Sequence, residues 1–333
     1  MHGISFHNIL DVTLRDGGYL NQWQFSREEI DALLGFLGRQ GVTQVEIGFL
    51  RPPAATTSLV NGCPVEFLAE SVRQHPDLQF VGMLNPAEDG WQAAVAGKLL
   101  YLSLVRLTCT AEVIDQALRI ADYLHEQSST IKVSLNLICI SSYRHDEVAD
   151  LLQKISPSNS IDRVYFADSR GALSPHEIEP LIAVAKQHCH QPLGFHAHDT
   201  LGNAIENSNC AFACGCDLID VSLNGFGLAG GNTSLGGYLA ANALAKASIE
   251  TETRAFCEQY LSLRQVDGDD RHLYGVLAQK NVDPIWSRAL LAQYPHKLGD
   301  LIDLLPRQPY KTLSQVLDSL AALHSVNGVS VKC

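Results

Sequence analysis

The chain has 333 residues, 46% of them hydrophobic, enough apolar material for one large α/β barrel with a small extra unit or for two ordinary domains. Lys and Arg total 24 against 36 Asp and Glu, a net charge of -12, which argues against nucleic acid or an anionic membrane surface as a partner. No run of eighteen apolar residues marks a membrane span, and the first residues lack the plan of a secretory signal.

Apolar runs alternate with helical patterns through about residue 247. The first strand is predicted at Phe6–Asp11. A helix follows over Arg27–Gln40, with Ser26 placed to cap it and Glu28 and Glu29 in its first turn. Strand Gln44–Ile47, helix Pro64–His75 and strand Gln79–Leu84 come next. Helix Asp89–Lys98 and strand Leu102–Leu107 repeat the unit, as do helix Ala111–Glu126 and strand Lys132–Leu137. Helix Arg144–Ser156 precedes strand Arg163–Ala167, and helix Pro175–His188 precedes strand Leu193–Phe195. Helix Asn203–Cys214, strand Leu218–Ser222 and helix Thr233–Lys246 complete the series. Eight strand-helix units in this length predict a (β/α)8 TIM barrel over 1–247, with its catalytic rim at the strand ends. A doubly wound open sheet is the alternative, but no GxGxxG joins the first strand to a helix.

From 248 to 333 the chain changes character and predicts a mainly helical C-terminal region. Helical patterns cover Glu250–Leu263, Ile285–Gln293, Lys297–Leu305 and Leu313–Ala322, while Val266–Arg271 reads as a polar turn. The nine cysteines include no CxxC pair and read as reduced thiols of a cytoplasmic protein.

Two short segments carry the chemistry. Asp16 follows the first strand in DVTLRDGGY, and His196 and His198 end the seventh in HAHD. Residues two apart at a strand end share one side, so both imidazoles face the barrel mouth. A closed barrel of eight brings its first strand beside its eighth and near its seventh, which gathers Asp16 and the histidines on one rim. Two imidazole nitrogens, a carboxylate and an amide oxygen from Asn232 suit a divalent metal, Mn2+ or Mg2+, with Zn2+ open on ligand type. Arg15 cannot readily lose its proton and suits a developing enolate or alkoxide. Glu46, at the end of strand two, is its natural ion-pair partner. Arg106 and Asn136 face the mouth as candidate substrate contacts. Asp11 reads as a strand-end or supporting residue rather than a ligand, Trp23 and Phe25 as packing of the first loop or, second, a roof over the pocket, and Arg51 as a solvated loop residue or, second, a contact for a substrate phosphate or second carboxylate. His272 and Tyr274 are candidate rim groups if the C-terminal region folds over the mouth.

The segment DVTLRDGGY, Glu46 in VEIGF, the HAHD motif and the stretch NGFGLAGGN ending at Asn232 resemble the metal-dependent TIM barrels of the pyruvate-aldolase and HMG-CoA-lyase-like superfamily. That group includes 4-hydroxy-2-oxovalerate aldolases, to which the likeness is nearest, HMG-CoA lyases, isopropylmalate and homocitrate synthases, and pyruvate carboxylase carboxyltransferase domains. The resemblance implies Asp16, His196 and His198 as metal ligands, Asn232 as a further ligand, Arg15 as the enolate-stabilising arginine and Glu46 as its partner. It makes Ser169 a substrate-carboxylate contact. The hydroxyoxovalerate aldolases carry an acid/base histidine where this chain has Tyr19, which makes Tyr19 the candidate proton-transfer group.

The activity so implied is aldol cleavage or formation between a pyruvate-type enolate and an aldehyde, on a 4-hydroxy-2-oxo acid. Claisen chemistry with an acyl-CoA and a non-catalytic barrel subunit are the alternatives. The expected partners are a 2-oxo acid, an aldehyde and further copies of the chain. The resemblance also leaves an acylating aldehyde dehydrogenase open as a partner, although the residues after 247 show no matching motif.

Overall fold

The computed structural model describes residues 4–53, 58–246, 248–266, 268–294 and 298–326. Eight parallel strands close into a barrel in chain order. They are β1 (Ile9–Asp11), β2 (Gln44–Phe49), β3 (Gln79–Leu84), β4 (Leu104–Cys109), β5 (Lys132–Leu137), β6 (Arg163–Asp168), β7 (Leu193–Ala197) and β8 (Leu218–Val221). The helices that follow them are α1 (Arg27–Arg39), α2 (Val65–Gln74), α3 (Trp91–Val95), α4 (Ile114–Gln127), α5 (His145–Ile155), α6 (Pro175–His188), α7 (Ala204–Cys214) and α8 (Leu235–Ala241). The pairing of β1 with β8 closes the ring, with Leu10 opposite Asp220. The TIM barrel predicted from the strand-helix count is therefore the observed fold.

Local chemistry explains where element ends differ from the pattern. β1 starts three residues late because Phe6–Asn8 form a 3-10 turn, held by the Asn8 side chain accepting from the Ser5 backbone N at 2.9 Å. α1 keeps its predicted start, since Ser26 and Glu29 cap it reciprocally. α3 is short because Gly90 and Gly97, both at positive φ, flank it. In β2 a register shift follows Glu46, where Gly48 adopts φ 150. A Cβ at Gly48 would sit 1.8 Å from the Val60 carbonyl oxygen, so only glycine lets the following loop return this closely.

The helices pack on the outer faces of the strands in one large apolar cluster. Inside the barrel, Leu10, Val81, Leu104, Tyr165 and Leu218 form a separate apolar plug. The next inward layer is charged, and its Arg106 lies 4.2 Å above the centre of the Tyr165 ring.

After the barrel come α9 (Ile249–Tyr260), α10 (Gly268–Gln279), α11 (Ser287–Gln293), α12 (Leu298–Asp303) and α13 (Leu313–Val326). The predicted turn at Val266–Arg271 is corrected by α10, whose first turn carries Asp269 and Asp270, charges that favour a helix N-terminus. Lys297, expected to open a helix, lies outside the described residues. α9 places Ile249, Phe256 and Cys257 in the barrel's own core, whereas the helices from α10 onward form a second cluster around Leu277, Leu301 and Val316. Buried Arg170, just after β6, ties that second unit to the rim by donating to the carbonyls of Asn281 and Tyr310, both at 2.6 Å. Among the described residues, no helix is long and apolar enough to cross a membrane.

Candidate metal centre and catalytic cavity

Strand alternation builds the site. On each of β3 to β7 two residues spaced by two face the barrel mouth: Met83 and Asn85, Arg106 and Thr108, Asn136 and Ile138, Ala167 and Ser169, His196 and His198. With Arg15, Asp16 and Tyr19 from the loop after β1, they line a cavity of about 460 Å3.

Asp16, His196 and His198 are buried, and each offers a ligand atom within 4.8 Å of the others. The Nε2 atoms of the two imidazoles lie 3.2 Å apart. His196 Nδ1 is 3.0 Å from Asp220 Oδ2, and His198 Nδ1 is 3.1 Å from the Leu228 carbonyl oxygen. Two acceptors thus hold the protons on both Nδ1 atoms and leave both Nε2 lone pairs facing one point beside a carboxylate. Burial drives the His198 pKa down to about 4, against the pull of Asp16, so this ring is neutral at pH 7.

Asn232 completes the set. Its amide nitrogen donates to Asp16 Oδ2 at 2.7 Å, while its buried Oδ1 has no partner among the described residues. A buried amide oxygen is costly to leave unpaired. Two nitrogens, a carboxylate and this oxygen fit a divalent cation, and the donor set favours none of Mn2+, Mg2+ and Zn2+ by itself. Gly227 makes the close approach possible: a Cβ there would lie 2.4 Å from Asn232 Nδ2 and 2.7 Å from Asp16 Oδ2.

Arg15 donates from Nε to Glu46 Oε2 at 2.6 Å and pairs through Nη1 with Asp16. Burial opposes its charge, but Glu46 and Asp16 outweigh it and keep the guanidinium protonated. Burial likewise opposes the charge of Asp16, yet Arg15 holds its carboxyl well below the usual carboxylate range. Glu46 also accepts from Arg106 Nη1 at 3.1 Å, and Arg106 Nη2 donates to Asp220 Oδ2 at 2.6 Å. One chain of alternating charge therefore runs Asp16, Arg15, Glu46, Arg106, Asp220 and ends on His196.

The other expected site residues lie on the same cavity. Arg106 is fully buried, and turning the Asn136 amide over to satisfy its neighbours lets its oxygen accept from Arg106 Nε at 2.9 Å and Nη2 at 2.7 Å, so Arg106 lends the floor positive charge more than free donors. Ser169 Oγ accepts from the Cys139 backbone N at 2.9 Å. Tyr19 lies at the mouth, packed edge-on against Trp23, and burial together with Asp16 raises its phenol pKa against the pull of Arg15. Trp23 packs the first loop as expected, donating from Nε1 to the Arg15 carbonyl at 2.7 Å. Arg51, read as a solvated loop residue, instead lines the cavity and pairs with Glu88 at 2.6 Å. The C-terminal region reaches the mouth through Asp283 and Ile285 rather than through His272 or Tyr274.

Two positions at the site, Asp220 and Gly227, escaped the reading of the chain, and a third, Asp11, was read at the strand end without its partner. Asp220 orients His196; its signal is a carboxylate two residues past Leu218 on an inward face of a buried strand. Asp11 has a raised pKa of about 7, mainly from burial, while accepting from Thr13 N at 3.0 Å and Oγ1 at 2.9 Å, and so fixes the turn leading to Arg15. Gly227 has no signal beyond its place in a glycine-rich loop.

The comparisons with known proteins agree with this geometry. Residues 7–260 match the HMGL-like family model. The chain is 29% identical over 233 residues to a 4-hydroxy-2-oxovalerate aldolase of Chloroflexus aggregans, covering 68% of this chain and 66% of that protein, just under two thirds of its length. It is 26% identical over 242 residues to a 2-isopropylmalate synthase of Bacillus pumilus, covering 68% of this chain and 46% of that one. In fold it is similar to the crystal structure of the N-terminal domain of a proposed aldolase from Bacteroides vulgatus, with a TM-score of 0.71 and 22% identity over 90% of this chain and all of that one. The chain belongs to the HMGL-like family of metal-dependent aldolases and lyases.

Proposed function

We propose that the protein is a divalent-metal-dependent aldolase that makes or breaks the C3–C4 bond of a 4-hydroxy-2-oxo acid, with a pyruvate-type enolate and an aldehyde as the two halves. The observation that carries this reading is Arg15, clamped between Glu46 and Asp16 beside the Asp16, His196 and His198 cluster at the barrel mouth. Binding alone gives no reason to orient a buried guanidinium there.

Asp16, His196, His198 and Asn232 would hold the cation, Mn2+ or Mg2+ in our reading. A cation so held supplies Lewis acidity toward a bound 2-oxo acid. Arg15 stabilises the negative charge that grows on the 2-oxo oxygen as the enolate forms, and Glu46 keeps the guanidinium aimed. Arg106 with Asn136 sets the positive potential of the floor, and the Ser169 hydroxyl receives the substrate carboxylate. In the addition direction Tyr19 donates its proton to the oxygen left on the aldehyde carbon, a role that its raised pKa favours over that of a base at rest. In cleavage the same oxygen returns the proton and the C3–C4 electron pair stays with the enolate. The free thiols among the described cysteines suit a reducing compartment, and we assign the protein to the cytoplasm as a homo-oligomer.

The test is deuterium exchange at the pyruvate methyl in chelator-treated protein resupplied with Mn2+ or Mg2+. Metal-dependent exchange is expected, with a loss of about 10²–10³-fold in Arg15→Ala. Absence of exchange with either metal overturns the reading. The likeness to a 2-isopropylmalate synthase favours a second reading, Claisen chemistry, which turnover of an acyl-CoA panel without any aldehyde product would support.

A further inference from the structure

The wall of the cavity opposite the metal centre carries a continuous polar chain beside the apolar side chains of Phe49 and Met83. Thr108 Oγ1 donates to Asn85 Oδ1 at 3.3 Å, and Asn85 Nδ2 donates to Glu88 Oε1 at 3.3 Å. Glu88 Oε2 accepts from Arg51 Nη1 at 2.6 Å, and Arg51 Nε donates to Asn61 Oδ1 at 2.9 Å. These side chains come from the ends of β2, β3 and β4. In a ring of eight, β3 and β4 stand across from β7 and β8, the side that carries the histidines and Asn232.

Two features of this wall bear on the aldehyde. The cavity of about 460 Å3 is in the range that holds a drug-sized ligand, more than a three-carbon 2-oxo acid and a two-carbon aldehyde fill. The wall also offers alternating donors and acceptors, and both of its described cations are paired, Arg51 with Glu88 and Arg106 with Glu46 and Asp220. An alkyl chain lying there would strip water from carboxylate, amide and hydroxyl groups and return no hydrogen bond. A free anion would have to displace Glu88 from Arg51. Neutral hydroxyl groups, which donate and accept together, match the wall.

Resting on the aldolase reading, we propose that the acceptor aldehyde is a hydroxylated, sugar-like chain whose hydroxyl groups dock on Thr108, Asn85, Glu88 and Arg51. The pyruvate methyl carbon gives up one proton and bonds to the aldehyde carbon, and the former carbonyl oxygen takes up one proton. The product is a 4-hydroxy-2-oxo acid bearing further hydroxyl groups from C5 onward. No oxidant or reductant is consumed.

The experiment supplies the metal-loaded protein and pyruvate with matched aldehydes: glyceraldehyde against propanal, and glyceraldehyde 3-phosphate as the anionic arm. Glyceraldehyde is expected to exceed propanal at least tenfold in kcat/KM. That ratio should fall at least fivefold in Glu88→Ala and in the near-isosteric Thr108→Val, chiefly through the KM for the aldehyde. Electrophilicity alone would raise the ratio but leave it unmoved by either substitution, which would overturn the proposal. So would propanal equal to or better than glyceraldehyde, or a preference for the phosphate that Arg51→Ala abolishes. Saturation-transfer NMR on the metal-free native protein gives a readout without turnover: erythritol should bind at the wall and butan-1-ol should not, and the reverse overturns the proposal. Loss of methyl exchange in the native protein is a separate failure, that of the aldolase reading, and leaves the NMR comparison decisive for the wall.

Discussion

Gly227→Ala tests the metal centre by steric means alone. The added methyl would sit 2.4 Å from Asn232 Nδ2, 2.6 Å from its Cγ and 2.7 Å from Asp16 Oδ2, far inside van der Waals contact. In the metal-free protein Asn232 can turn aside, giving up its hydrogen bond to Asp16 for about 1 kcal/mol. A bound cation would hold both side chains in place, so the remaining strain falls on the complex. One extra methyl forced into a packed site costs about 1–3 kcal/mol. At about 1.4 kcal/mol per decade, that predicts a metal Kd weaker by about 5- to 150-fold. The assay is calorimetric titration of Mn2+ into chelator-treated protein, with thermal unfolding of the metal-free form as the control. A Kd within twofold of the native value, with Asn232 and Asp16 undisplaced, would refute the assignment of these two residues to the ligand set.

Three further outcomes follow from the same contacts. Asp220→Asn removes the carboxylate that orients His196 and should weaken metal binding by about 10–100-fold, read by the same titration. Tyr19→Phe should lower the rate of carbon–carbon bond formation by about 10²-fold while altering metal affinity little; equal rates in the two proteins would remove Tyr19 from proton transfer. Asp11 carries a pKa raised to about 7 from an ordinary 3.8, so the folded state binds its proton more tightly than the unfolded chain does. Its contribution to stability is present below pH 4 and is lost as pH rises toward 7. Between pH 5 and pH 8 the native protein should therefore lose about 3 kcal/mol relative to Asp11→Asn in urea unfolding, and parallel curves would contradict this.

The barrel was legible because each strand is short, apolar and punctuated by a capped helix, a pattern local enough to read residue by residue. The candidate metal cluster was legible for a related reason. Spacing by two at the end of β7 forces His196 and His198 to one side, and ring closure alone brings Asp16 to them. What the chain concealed depends on contacts made across space. Asp220 looks like any strand residue until Arg106 and His196 are seen on either side of it. Arg51 read as solvated because its partner Glu88 lies 37 residues further on. Asp283 and Ile285 reach the mouth because Arg170, Asn281 and Arg307 tie the C-terminal region to the barrel across more than a hundred residues of chain. α9, just past the strand-helix series, adds Ile249, Phe256 and Cys257 to the barrel's core, a matter of packing that periodicity does not report.

The chain of alternating charge under the site also has a stoichiometry. Asp16, Glu46 and Asp220 bring three negative charges, and Arg15 and Arg106 bring two positive ones. The buried cluster is thus one charge short of neutral in the negative sense. A divalent cation turns it one charge positive, and a single monocarboxylate cancels that surplus. On the proposed reading the cluster would balance one divalent metal together with one monoanion. A dicarboxylate would leave it negative again, so this charge count sets a limit on the acid that no side chain facing the cavity needs to enforce.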